Sequence, residues 1–147
     1  MKFVFAALIV FTLFVTDARP QTKPDFNGRW QVKFTLFDSK EKNLIFTVHE
    51  HGAGTLQLLD TAENDKPVPG QQPAAWSLTN TNLSISSEVE LAIGNCCREM
   101  GTLIFKSKLS SPNSFSGKLV FVTNVEEDES PYKYKSTVGT FTATRVK

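Results

Sequence analysis

At 147 residues, with 40% of them hydrophobic and charges balanced to a formal +1, the chain has the size of one ordinary domain and needs no disulfide framework to bury a core. Its 16 Lys and Arg form no basic block interleaved with aromatics, which argues against a nucleic-acid partner. No apolar run beyond the first residues approaches the roughly 20 residues of a bilayer crossing, so no membrane span is expected.

The first residues have the pattern of an export signal. Lys2 supplies a positive start, Phe3 to Val15 an apolar run of about 13 residues, and Thr16-Asp17-Ala18 the small residues that a signal peptidase reads. Cleavage is expected after Ala18, leaving a secreted or periplasmic protein. No Cys stands near that point to carry a lipid anchor. Residues 19 to 27 are polar, contain Pro20 and Pro24, and read as a flexible lead-in to a domain over 28 to 147.

From there on, apolar residues recur at every second position, the period of a strand, between breaks rich in Gly, Pro, Asn, Asp and Ser. The pattern predicts strands over Gly28 to Phe37, Asn43 to Glu50, Thr55 to Asp60, Ala75 to Thr79, Leu83 to Leu91, Thr102 to Leu109, Phe115 to Asn124 and Val138 to Val146. No helical stripe interrupts them. Trp30, Val32, Phe34 and Leu36 oppose Gln31, Lys33 and Thr35, and Leu83, Ile85, Val89 and Leu91 oppose Ser84, Ser86, Glu88 and Glu90. Slipping a strand by one residue would turn those charges inward, so the pattern itself names the interior face. The expectation is all-β: an eight-stranded antiparallel up-and-down β-barrel, closed so that no edge is left unpaired.

Up-and-down order sorts the connections into two ends. His51-Gly52-Ala53-Gly54, Thr79-Asn80-Thr81-Asn82 and Ser111-Pro112-Asn113-Ser114 are tight-turn compositions at one end. Asp38 to Lys42, Thr61 to Pro73, Gly94 to Met100 and Val125 to Thr137 gather at the other as long loops. Long loops on a rigid strand frame are where a barrel usually binds, which makes that mouth the expected site.

Phe26-Asn27-Gly28-Arg29-Trp30 resembles the Phe-Xaa-Gly-Xaa-Trp start of lipocalins and, more loosely, the Gly-Xaa-Trp start of avidins, both of the calycin superfamily. The resemblance implies that Gly28 and Trp30 sit at the closed end of the barrel with Arg145, from the last strand, over the indole. The chain also resembles a group of small exported bacterial proteins with Pro-Asp-Phe-Xaa-Gly-Xaa-Trp after the signal and Gly-Thr-Phe-Thr-Ala-Thr-Arg near the end. Biotin binding in avidins relies on a polar interior, whereas the inward positions here are Leu, Val, Ile, Phe and Trp, so biotin is not the expected ligand.

An apolar interior either holds a small apolar molecule or is filled by its own side chains. For a ligand, the expected contacts are Leu36, Leu44, Trp76, Leu91, Phe105 and Phe121 from the walls, with Tyr132 and Tyr134 from the last long loop. The alternative is a protein-binding barrel acting through its long-loop rim, of the protease- or lysozyme-inhibitor type that the calycin resemblance admits. Cys96 and Cys97 are the two cysteines of a chain read as exported, where a strained vicinal disulfide, an intermolecular bridge or two thiols are all open. His49 and His51 share the outer face at the tight end and lack the further ligands that a metal requires, so no metal is expected. No nucleophile stands beside a base and no phosphate loop follows a strand, so neither an enzyme nor a cofactor is expected.

Overall fold

The computed structural model describes residues 25–37, 40–59, 70–93, 97–127 and 130–147. Eight strands run in chain order: β1 (Gly28–Thr35), β2 (Glu41–Val48), β3 (Ala53–Leu58), β4 (Gln72–Thr79), β5 (Asn82–Ile93), β6 (Cys97–Lys108), β7 (Ser114–Glu127) and β8 (Ser130–Arg145). Each pairs antiparallel with its sequence neighbour, and β8 pairs back onto β1 from Thr35↔Thr140 to Trp30↔Arg145, which closes the barrel. No described helix is long and apolar enough to cross a membrane.

The alternation read from the sequence is the alternation of burial. In β1, Trp30, Val32 and Phe34 are buried while Gln31 and Lys33 are exposed; in β2, Leu44, Phe46 and Val48 point to the same interior. Each Leu, Val or Phe so removed from water contributes about 1.5–3 kcal/mol relative to leaving it exposed, an upper bound given a compact unfolded chain. Inward glycine lets one bulky neighbour in. A Cβ on Gly117 would lie 2.1 Å from the Lys106 carbonyl oxygen and 3.0 Å from the Phe141 ring directly opposite, so β7 presses onto β6 there and Phe141 fills the space.

The strands are unequal. β1 to β4 have 8, 8, 6 and 8 residues, whereas β5 to β8 have 12, 12, 14 and 16. Pairing between β6 and β7 stops at Gly101↔Thr123, and pairing between β8 and β1 stops at Thr35↔Thr140. Past those levels, β5 with β6 and β7 with β8 continue as two separate ribbons, held by pairs such as Leu91↔Glu99 and Asn124↔Tyr134.

This corrects the expectation of long loops over Gly94 to Met100 and Val125 to Thr137. Both stretches are mostly strand, with a register shift between Val125 and Glu127. The acidic run and Pro131 look like a loop by composition, yet a two-stranded ribbon needs only backbone partners, and Pro131 sits near the start of its strand, where the missing N–H does no harm.

Candidate functional site

The two ends of the barrel differ in kind. At the closed end, Phe26 is buried in contact with Trp30, Phe46, Trp76 and Phe115, at ring-centroid distances of 5.6, 5.9, 5.3 and 5.8 Å. The lead-in expected to be flexible therefore ends in a plug. Phe26 also accepts the Trp30 indole N–H at its carbonyl, 3.0 Å away, so Trp30 is sealed without an unmet donor.

Arg145 covers this plug as the lipocalin resemblance implies. Its guanidinium carbon lies 4.6 Å from the Trp30 ring centroid. Nε donates to the Pro112 carbonyl at 2.9 Å, and the two terminal nitrogens donate to the carbonyls of Asn27 and Asp25. One guanidinium fork thus binds the β6–β7 connection and the lead-in to the end of β8. Gly28 makes this geometry available twice over: its φ is +113°, and a Cβ there would stand 3.2 Å from the guanidinium.

Trp76, expected among the ligand contacts, belongs to this end. It packs edge-on to Phe26, and its indole N–H is shared between the carbonyls of His49 (3.1 Å) and Ala53 (2.6 Å). His49 and His51 are exposed beside it, and among the described residues no three His, Cys, Asp or Glu come together as metal ligands. Phe105 lies in the middle of the barrel, 6.1 Å from Phe34 and 5.0 Å from Phe141.

The remaining candidates divide by height. Leu44 is in the wall of β2, Leu91 and Phe121 are on the parts of β5 and β7 toward the mouth, and Leu36 directly follows β1 at the rim; all four are buried. Cys96 lies outside the described residues, as do the side chains of Cys97, Tyr132 and Tyr134. The backbones of the last three belong to strands, with Cys97 opposite Ile93 and Tyr134 opposite Asn124.

The open end holds three residues that apolar periodicity passes over. Lys42, Ser87 and Thr123 are buried, at 8%, 4% and 3% exposure, and among the described residues they are the only buried polar side chains. Each continues an inward series: Lys42 precedes Leu44 by two, Ser87 lies between Ile85 and Val89, and Thr123 follows Phe121 by two. Parity alone would have found them. Ser87 donates its hydroxyl to the Pro73 carbonyl at 2.8 Å, and Lys42 and Thr123 are each engaged by a partner within the chain. Lys42 faces Phe34 across the β1–β2 pair, and Thr123 faces Gly101 at the point where the ribbons part.

Two apolar residues stand exposed at the same rim: Phe37, just past β1, at 60%, and Leu59, just past β3, at 44%. A separate shallow groove of about 440 Å³ lies on the outer face, with Lys33, Thr35, Glu41, Ser116 and Thr142 among its lining. Phe34 and Phe141 form its floor, and the Lys33–Glu41 ion pair at 2.9 Å belongs to its lining.

Among solved structures, the chain is similar to the crystal structure of short afifavidin in complex with biotin, at 9% identity over 78% of this chain and 88% of that one, with a TM-score of 0.46. No protein-family model matches the chain, and no curated protein does.

Proposed function

We propose that this barrel takes up a small, largely apolar molecule through its open end, with Leu36, Leu91 and Phe121 as walls. One observation carries the proposal: among the described residues, every buried polar side chain lies away from the aromatic plug, and Lys42 and Thr123 lie near the mouth. A core built for stability alone gains nothing from them, since burying a hydroxyl costs about 1–3 kcal/mol and a charge more unless compensated. Apolar walls with a few placed polar groups are how small-molecule sites are built. Exposed Phe37 and Leu59 give that opening an apolar lip.

The protein is proposed to do this outside the cytoplasm, after cleavage following Ala18. Lys2, the apolar run and Thr16-Asp17-Ala18 support this, and the intact mass of the exported form tests it: a mature chain retaining Met1 would overturn it. For uptake, the test is titration of the full mature protein with the neutral fluorophore N-phenyl-1-naphthylamine, beside native mass spectrometry before and after organic extraction. Saturable enhancement at one site, or a discrete mass removed by extraction, is the expected result. No enhancement together with a bare mass would overturn it in favour of a filled core.

A protein-binding role is the second reading, favoured by the two ribbons that run on past the first four strands. Their inner edges leave the β6–β7 pairing at Gly101 and Thr123 and offer backbone groups to an added strand. Trimming the β7–β8 ribbon tip would abolish binding to a partner and leave uptake of the fluorophore unchanged.

A further inference from the structure

From the outer face of β6, β7 and β8 we infer a docking surface for a second copy of this chain, on which two barrels pair face to face about a two-fold axis. Ile104 lies opposite Val120 and Val120 opposite Val138, an unbroken apolar row across three strands, on the side away from buried Leu103, Leu119 and Phe121. Val122 of β7 and Met100 of β6 extend it toward the mouth. Met100 and Val138 are the two most exposed large apolar side chains among the described residues, at 65% and 70%. By contrast, the outward positions of β1 are Arg29, Gln31, Lys33 and Thr35, and those of β8 nearer the closed end are Thr140, Thr142 and Thr144. Apolar residues exposed singly are ordinary, whereas a contiguous set in register marks a surface that takes a partner.

Charge selects the partner. On the side of the row toward the closed end, Lys106 faces Lys118 across the β6–β7 pair, two like charges in a destabilising cross-strand arrangement. On the side toward the mouth, Glu88 stands exposed on β5, opposite Thr102. Neither lysine nor Glu88 forms an ion pair with a described residue. A two-fold axis lying between the faces and along the apolar row sets that row on its own copy and carries the acidic side of one barrel over the basic side of the other. Glu88 of each copy is thereby brought toward the Lys106–Lys118 pair of its mate, which relieves the like-charge contact twice. A partner of one sign would instead leave either Glu88 or the two lysines against like charge. The face is on the wall of the barrel rather than at its mouth, so this pairing stands or falls separately from small-molecule uptake.

Sedimentation equilibrium of the full mature protein is the test, with dithiothreitol present so that no bridge through Cys96 or Cys97 joins the copies. A dimer in reversible equilibrium with monomer is expected at micromolar concentration. Val138→Glu, which sets a carboxylate against its own copy, should raise the dissociation constant at least about tenfold, and Glu88→Lys, which turns the acidic side basic, should do the same. Adding Lys106→Glu and Lys118→Glu to Glu88→Lys exchanges the signs of the two sides and should restore most of the pairing.

A parent protein that stays monomeric up to about 100 μM overturns the inference. So does a dimer that persists unchanged in folded Val138→Glu, since its contact would then lie elsewhere, and so does a triple variant that pairs no better than Glu88→Lys alone. Should Val138→Glu fail to fold, the three charge exchanges, all at exposed positions, decide in its place.

Discussion

The closed end and the open end of this barrel are made of the same strands and obey opposite rules. At the closed end the Trp30 indole reaches the carbonyl four residues before it, and Arg145 takes three carbonyls while lying over the ring. Aromatic packing there is dense and interlocked, with Trp30 and Phe115 at 4.9 Å and Phe115 and Phe141 at 5.9 Å. At the open end, Lys42 and Thr123 break the apolar alternation, and the sheet itself divides into two ribbons. One end stabilises the fold by local consistency, and the other departs from it where a binding site would need to.

Removing Trp30 should break the contrast most severely. Trp30→Ala takes out a fully buried indole and its stacked partners, so a loss of about 3–5 kcal/mol is expected in urea unfolding. A loss under about 1 kcal/mol would show that the closed end is not what holds the barrel. Arg145→Lys keeps the charge but loses the fork to Asn27, Asp25 and Pro112, and should cost about 1–2 kcal/mol by the same measurement.

Leu91→Trp sharpens the comparison from the other side. If the upper layer receives a ligand, the larger ring occupies that space, and stability should stay within about 1 kcal/mol of the parent while fluorophore uptake is lost. A filled upper layer would instead show overpacking of about 1–3 kcal/mol. The smallest effect is expected on the outer face, which belongs to neither end. Glu41→Gln breaks an ion pair whose partners are 52% and 54% exposed, and the stability measured by urea unfolding should change by less than about 0.5 kcal/mol.

Much of this was legible in one chain. Alternation in β1, β2 and β5 identifies the interior face, and the resemblance of the two chain ends to lipocalins implies that Gly28, Trp30 and Arg145 meet at the closed end, where the guanidinium lies over the indole. Trp76 shows where that legibility ended. Its inward parity was readable, but its height in the barrel depends on the strand register, which puts it opposite Ile85 and beside Phe26, far from the mouth. Charge and proline around Tyr132 and Tyr134 read as a loop, whereas both belong to β8, with Tyr134 opposite Asn124 of β7.

Lys42, Ser87 and Thr123 illustrate a different failure. Hydrophobicity names an interior face by its majority and then ignores the minority residues on that same face, although a site is usually made of them. The period of two, read without regard to polarity, would have turned up all three.

By itself the sequence determined the strand period and the inward face, because each depends on residues within a few positions of one another or on a pattern that no register slip can preserve; the meeting of Arg145 with Trp30, from opposite ends of the chain, was implied by the resemblance of those ends to lipocalins. The tertiary structure alone decided how high each inward side chain sits, which strands outrun their partners, and which polar residues share the mouth. Those depend on the stagger accumulated around a closed sheet, a sum over eight pairings that no local stretch of chain contains.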